Sequence, residues 1–178
     1  MTLQEIAQQL KASTKKIILI YGFNATGKTQ LSVAYKNATK SAEGKHAGVY
    51  YNAFSEDLFV WNNDTENNEA EIRLMVIPSS LSRLHSALNE EKVFDKLKAY
   101  KPKYDFEFSF YADAEKGIES IAFFAKKGGK TTEEQIKISR GEERTFVWCF
   151  FLALFEVEGW ADEQEAHFFI DDPVSSLD

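Results

Sequence analysis

The sequence predicts an α/β fold with an antiparallel β and helical lobe inserted in its middle. Three observations carry this. A β-branched run, Lys16 to Tyr21, leads through a glycine-bearing loop into a helical stretch. The centre of the chain alternates apolar and polar residues with the period of half-buried strands. Near the other end, a long apolar helical stretch is followed by a short apolar strand at His167 to Ile170.

Taken in order, Thr2 to Lys11 places Leu3, Ile6, Ala7 and Leu10 on one helix face, with Thr2 in the capping position. Lys16 to Tyr21 reads KIILIY, bounded by charge and glycine, which predicts a buried strand. A helix should follow over Lys28 to Ala38. Gly48 to Val60 is aromatic and strand-like, and Asn62 to Glu69 is a polar loop. Ile72 to Ile77 reads as a strand and Ser79 to Tyr100 as one amphipathic helix. Tyr104 to Tyr111 and Ile118 to Phe124 alternate as antiparallel strands do, with Lys126 to Thr132 as a turn. Ile136 to Ile138 is a brief strand or loop, and Gly141 to Glu158 a long helix. There is no internal repeat. The expected organisation is a single domain of three stretches: 1–60, an inserted lobe over 61–135, and 136–178.

The 178 residues suffice for one real core, and 15 phenylalanines give it apolar surface to bury. The lone Cys149 excludes an intramolecular disulfide and suits a reducing compartment. Met1 to Ser13 is polar and unlike a signal peptide, and the apolar run Phe146 to Phe155 is far short of a membrane span, so a cytoplasmic chain without membrane contact is expected. With 28 acidic against 21 basic residues, the net charge of −7 gives no global attraction to nucleic acid or anionic lipid. The lysines at 92, 96, 98, 101 and 103, and at 126, 127 and 130, read as solvated faces, and Lys126 to Lys130 as a hairpin tip with contact to nucleic acid as its alternative. Trp148, Phe150, Phe151 and Phe155 read as core, with Cys149 an inert thiol among them.

The residues that carry chemistry begin with Gly22-Phe23-Asn24-Ala25-Thr26-Gly27-Lys28-Thr29, which matches G-x-x-x-x-G-K-[ST] between a strand and a helix. Such a loop turns backbone N–H groups inward as an anion nest at a helix N-terminus. Lys28 then reaches the β- and γ-phosphates of a nucleotide, and the Thr29 hydroxyl ligates Mg²⁺. The second motif, His167-Phe168-Phe169-Ile170-Asp171-Asp172, delivers carboxylates at the end of an apolar strand. Asp171 is the candidate Mg²⁺ ligand and Asp172 the group that orients the attacking water. The third is Ile138-Ser139-Arg140-Gly141-Glu142-Glu143 ahead of the apolar helix, where a hydroxyl, a backbone N–H and a helix dipole make another anion site. Taken alone, this segment is equally a helix start capped by Ser139.

These three motifs together resemble a P-loop NTPase of the ABC type, in its SMC- and RecF-like form, with Ser139 and Gly141 in the place of the signature motif. Pro173-Val174-Ser175-Ser176-Leu177-Asp178 resembles the D-loop, and the string IDDPVSSLD is similar to the ATPase heads of the RloC and PrrC anticodon-nuclease group. The resemblance covers roughly Lys16 to Lys40 and Lys137 to Asp178, and more loosely Tyr51-Asn52-Ala53-Phe54. It implies two heads closing over two ATP molecules with Mg²⁺, so that Ser139, Gly141 and Asp178 approach the partner's nucleotide. It also implies a homodimer that gates a nuclease effector or a nucleic-acid partner, DNA or tRNA, in phage defence or DNA repair. The pattern departs from the family in places. Asp172 stands where glutamate is usual, no glutamine is placed at the Q-loop position, where Asn52 is a weak candidate, and no coiled-coil arm is present. None of His46, His85 and His167 occupies the place of the switch histidine, which the resemblance puts on a strand beyond Asp178. Two other readings stay open: a nucleotide-binding switch that does not hydrolyse, and a P-loop kinase.

Overall fold

The computed structural model describes residues 1–15, 17–23, 26–40, 48–51, 57–67, 71–79, 81–157 and 167–170. The chain divides into two compact units, Met1–Ala53 with Glu158–Pro173, and Phe54–Val157 with Val174–Asp178. The whole is α/β, with one short parallel pair and one antiparallel sheet.

In the first unit, α1 (Leu3–Ala12) opens on a capping box, in which the Thr2 hydroxyl accepts from the Glu5 amide while the Glu5 carboxylate takes the Thr2 amide. Its apolar face packs on α2 (Lys28–Ala38). Ala7, Leu31 and Tyr35 form the buried centre, with Leu3, Ile6, Leu10, Ala34 and Phe169 around them. Lys11 fastens the two helices by donating to the Ala38 carbonyl at 2.8 Å. β1 (Gly48–Tyr51) and β7 (His167–Ile170) pair in parallel, Gly48 opposite His167 and Tyr51 opposite Ile170. Tyr35 of α2 meets Phe169 of β7 with ring centroids 5.7 Å apart.

The second unit is an antiparallel sheet with one long helix laid on it. β2 (Phe59–Asn62), β3 (Arg73–Val76), β5 (Ile118–Lys127) and β4 (Tyr104–Phe110) follow in that spatial order, and β6 (Lys130–Gln135) pairs with the far end of β5. Register puts Phe59, Leu74, Ile121, Phe123 and Phe106 on one face. That face receives α4 (Arg140–Phe155): Phe146 meets Phe106 at 4.9 Å and Phe123 at 5.0 Å, and Phe150 meets Phe59 at 5.4 Å. Burying each such ring is worth roughly 2–3 kcal/mol. A further helix, α3 (Glu90–Leu97), packs beside α4, and Lys96 pairs with Glu156 at 2.5 Å. Trp148 is half-buried, and Cys149 is buried with its thiol pushed up to about 11 by that burial.

Several expectations need correction. Residues 17–21 are not a buried strand. They have no strand geometry, and Ile17, Leu19 and Tyr21 are 79%, 73% and 89% exposed. An apolar run becomes a strand only where a neighbour completes its ladder, and among the described residues β1 and β7 pair only with each other. Gly48 to Val60 is two strands in two sheets, β1 and β2. The single helix over 79–100 is broken into a 3₁₀ turn (Ser82–Ala87), α3 and a second 3₁₀ turn (Lys98–Tyr100), because the Asn89 side chain caps a fresh helix by accepting from the Lys92 amide. The turn expected over 126–132 shrinks to Gly128 and Gly129, both at positive φ (61° and 80°), which join β5 to β6 as a two-residue hairpin. Ile136 to Ile138 is loop, and the helix placed at 141–158 runs from Arg140 to Phe155.

Candidate nucleotide-binding site

The loop from Gly22 to Thr29 folds back on itself ahead of α2. The Thr26 amide and hydroxyl both donate to the Phe23 carbonyl, at 3.3 and 2.7 Å, which bends the chain into a tight turn. Lys28 reaches across that turn, its Nζ donating to the Gly22 carbonyl at 3.1 Å. A Cβ on Gly22 would meet Thr26 Oγ1 at 2.8 Å, and Gly27 sits at φ 94°, ψ 18°, where side chains are strained. Gly27 is the N-cap of α2 and offers no side-chain oxygen to the first turn, so the positive end of that helix has no side-chain cap. No carboxylate among the described residues pairs with Lys28. Thr29 is the second residue of α2, its carbonyl accepting from Ser32 Oγ at 2.6 Å. Phe23 is exposed.

The second motif is anchored in the same unit, since the Tyr35–Phe169 contact ties α2 to β7. Asp171 and Asp172 follow β7 directly and lie outside the described residues, as do Asn24, Ala25, Asn52 and Asp178. Among the described residues no cluster of histidine, cysteine and carboxylate side chains could hold a metal, and no helix is long and apolar enough to cross a membrane.

Ser139 and Gly141 belong to the second unit, at the start of α4. Ser139 is the N-cap in a capping box: its hydroxyl lies 2.6 Å from Glu142 Oε2, and the Ser139 amide donates to the same oxygen at 2.9 Å. Gly141 is exposed and helical, with nothing within 4 Å of where a Cβ would stand. Its own chain therefore does not require a glycine there. Two residues distant in sequence, Trp61 and Asn63, meet this helix start. Trp61 Nε1 donates to Glu143 Oε2 at 2.7 Å, and Lys137 lies over the Trp61 ring at 5.2 Å while donating to Asn63 Oδ1 at 2.8 Å. Sequence reasoning missed this clamp, because no local pattern links positions 61, 137 and 143.

No known protein-family model matches the chain, and no solved structure does. It is 33% identical over 221 residues to an anticodon nuclease of Escherichia coli, a match that takes in 99% of this chain and 55% of that protein. The chain thus spans about half the length of the curated relative it matches. The match is longer than the chain's 178 residues, so the relative carries additional residues inside the matched stretch. Along nearly its whole length, this chain is homologous to one part of an anticodon nuclease.

Proposed function

We propose that the chain is an ABC-type ATPase head that binds Mg-ATP, dimerises on it, and uses hydrolysis to gate an effector that processes nucleic acid, as in phage defence. The observation that carries this reading is the loop at Gly22–Thr29. A glycine at positive φ, a second glycine close against the Thr26 hydroxyl, a lysine folded across the turn and a helix start without a side-chain cap are what a polyphosphate cradle requires. Lys28, now bonded to a carbonyl, exchanges that neutral acceptor for phosphate oxygens. Thr29 and Asp171 would hold Mg²⁺, whose charge offsets that of the β- and γ-phosphates. Asp172 orients the attacking water, and catalysis is positioning plus charge stabilisation. Ser139 and Gly141 serve the nucleotide held by a second copy. The bare Gly141 supports this, as does the Trp61–Glu143 clamp that steadies the turn. The homology to an anticodon nuclease supports a nucleic-acid effector, transfer RNA being the first substrate to try.

The test is solution mass with and without Mg-ATP for the chain, for Lys28→Ala and for Asp172→Ala, with ATP turnover followed alongside. ATP should convert monomer to dimer, and the dimer should persist longer in Asp172→Ala. Lys28→Ala should bind ATP roughly 10- to 100-fold more weakly, the worth of a charge-assisted hydrogen bond. A chain that binds no ATP, or a Lys28→Ala variant that binds as well as the original, overturns the proposal. A dimer formed without turnover leaves a nucleotide switch, and ATP bound without a change of mass leaves a kinase.

A further inference from the structure

Five lysines of the second unit, Lys101, Lys103, Lys126, Lys127 and Lys130, gather at one end of its sheet, although they come from separate stretches of chain. Pairing of β4 with β5 begins at Tyr104 and Ala125, which brings Lys103 beside Lys126, and the Lys126 amide donates to the Lys103 carbonyl at 3.0 Å. One residue on, β5 turns through Gly128 and Gly129, so that Lys130 stands opposite Lys127. Lys101 closes the 3₁₀ turn before Lys103, in the left-handed region at φ 52°, ψ 57°.

Ion pairing sorts these lysines into two groups. Lys126 is matched by Asp105 at 2.6 Å and Lys127 by Glu134 at 2.7 Å. Asp105 also accepts from the Thr131 hydroxyl. Lys101, Lys103 and Lys130 are exposed and have no carboxylate partner among the described residues. Glu133 is the one acid of 126–135 without a lysine, so an excess of positive charge remains on a chain of net charge −7. Beside it Tyr100 is 53% exposed, and nothing lies within 4 Å of where side chains on Gly128 and Gly129 would stand.

We propose that this lysine end binds the phosphate backbone of a single-stranded or looped nucleic acid, with Tyr100 stacking on a base. Three mobile ammonium heads track a phosphate chain, the glycine tip admits its close approach, and the phenol ring supplies the sequence-tolerant stacking such sites use. An acidic peptide would engage the same lysines and leave the ring without a partner. The site acts at short range, since charges further apart than a Debye length of about 8 Å are largely screened and the acidic chain adds no attraction of its own. It goes beyond the nucleotide reading and does not depend on it.

The experiment is fluorescence anisotropy of a labelled RNA stem-loop, and of single-stranded DNA of the same sequence, against the full chain without nucleotide over a salt series. The chain should bind at about 50 mM salt, and the Lys101→Ala/Lys103→Ala/Lys130→Ala variant should lose about 2 to 3 from the slope of log K against log salt. A charge-matched control, Lys15→Ala/Lys36→Ala/Lys40→Ala, should keep the original slope. The corresponding lysine-to-arginine triple should restore binding. Tyr100→Ala should weaken binding roughly 5- to 100-fold at unchanged slope. Equal binding of RNA and DNA supports a backbone site, and preference for RNA supports it with a 2′-hydroxyl contact added. No binding of either, equal slopes for the two alanine triples, or displacement of the RNA by polyglutamate at matched charge overturns the proposal.

Discussion

His85 is 3% exposed, edge-on to Phe150 at 5.3 Å, and its Nδ1 accepts the Ile118 amide at 3.2 Å. That acceptor role requires an unprotonated Nδ1, and burial pulls the imidazole from 6.5 down to about 4. The unfolded chain takes up a proton near pH 6.5 where the fold refuses one. Stability is therefore complete above that pH and drains away between about 6.5 and 4, by up to roughly 3 kcal/mol. His85→Asn keeps an acceptor near the Nδ1 position and does not titrate. The melting temperature of the original chain should fall more between pH 7 and 4.5 than that of the variant, and parallel curves would refute the account. Asp105 does not mimic this effect. Burial alone would raise its carboxyl, but the hydrogen bonds from Lys126 and Thr131, with the Lys126 charge, outweigh burial and hold it below the usual 3.8. Its contribution is present above that value and lost only at lower pH.

At the scale of the element, the start of α4 separates local from borrowed order. Ser139-Arg140-Gly141-Glu142 was legible as a helix start because S-x-x-E is a capping box, and the structure forms one. What holds that start against the sheet was not legible, since Trp61 and Glu143 meet only after folding. The break at Leu88 and Asn89 was hidden by apolar periodicity that runs on through the 3₁₀ turns, where a capping asparagine decides the boundary. The turn ahead of α2 was readable from its glycines, whereas the solvated setting of residues 17–21 was not, because β-branched composition reports propensity and not the presence of a neighbouring strand. Gly141 supplies the prediction that belongs here. Gly141→Ala fills open space in a helix and should stabilise the chain by roughly 0.5–1 kcal/mol. On the proposed reading it should also abolish ATP-dependent dimerisation, measured by solution mass, with ATP binding intact. A variant that is more stable and dimerises normally would remove Gly141 from the site.

For the whole molecule, the two units differ in how their contacts are spaced along the chain. The second is continuous over its described stretches, with hairpins β4–β5 and β5–β6 and α4 closing over them. The first is split, because its parallel pair joins residue 48 to residue 167. Residues 54–157 made alone should therefore unfold as one cooperative transition by circular dichroism, since their core is built from near neighbours around Phe106, Phe123 and Phe146. A broad, non-cooperative melt would show that the sheet and α4 need the rest of the chain.

The Gly48–His167 register also sets an order of events on the ribosome. The sheet and α4 can assemble while the chain is still being made. The strand that completes the parallel pair of the first unit, and the Phe169 ring that Tyr35 packs against, are synthesised only afterwards. The loop between residues 48 and 167 is thus closed late, and its entropy is offset last. A nascent chain has no finished first unit until residues 167–170 have emerged, so synthesis itself delays the moment at which that unit is complete.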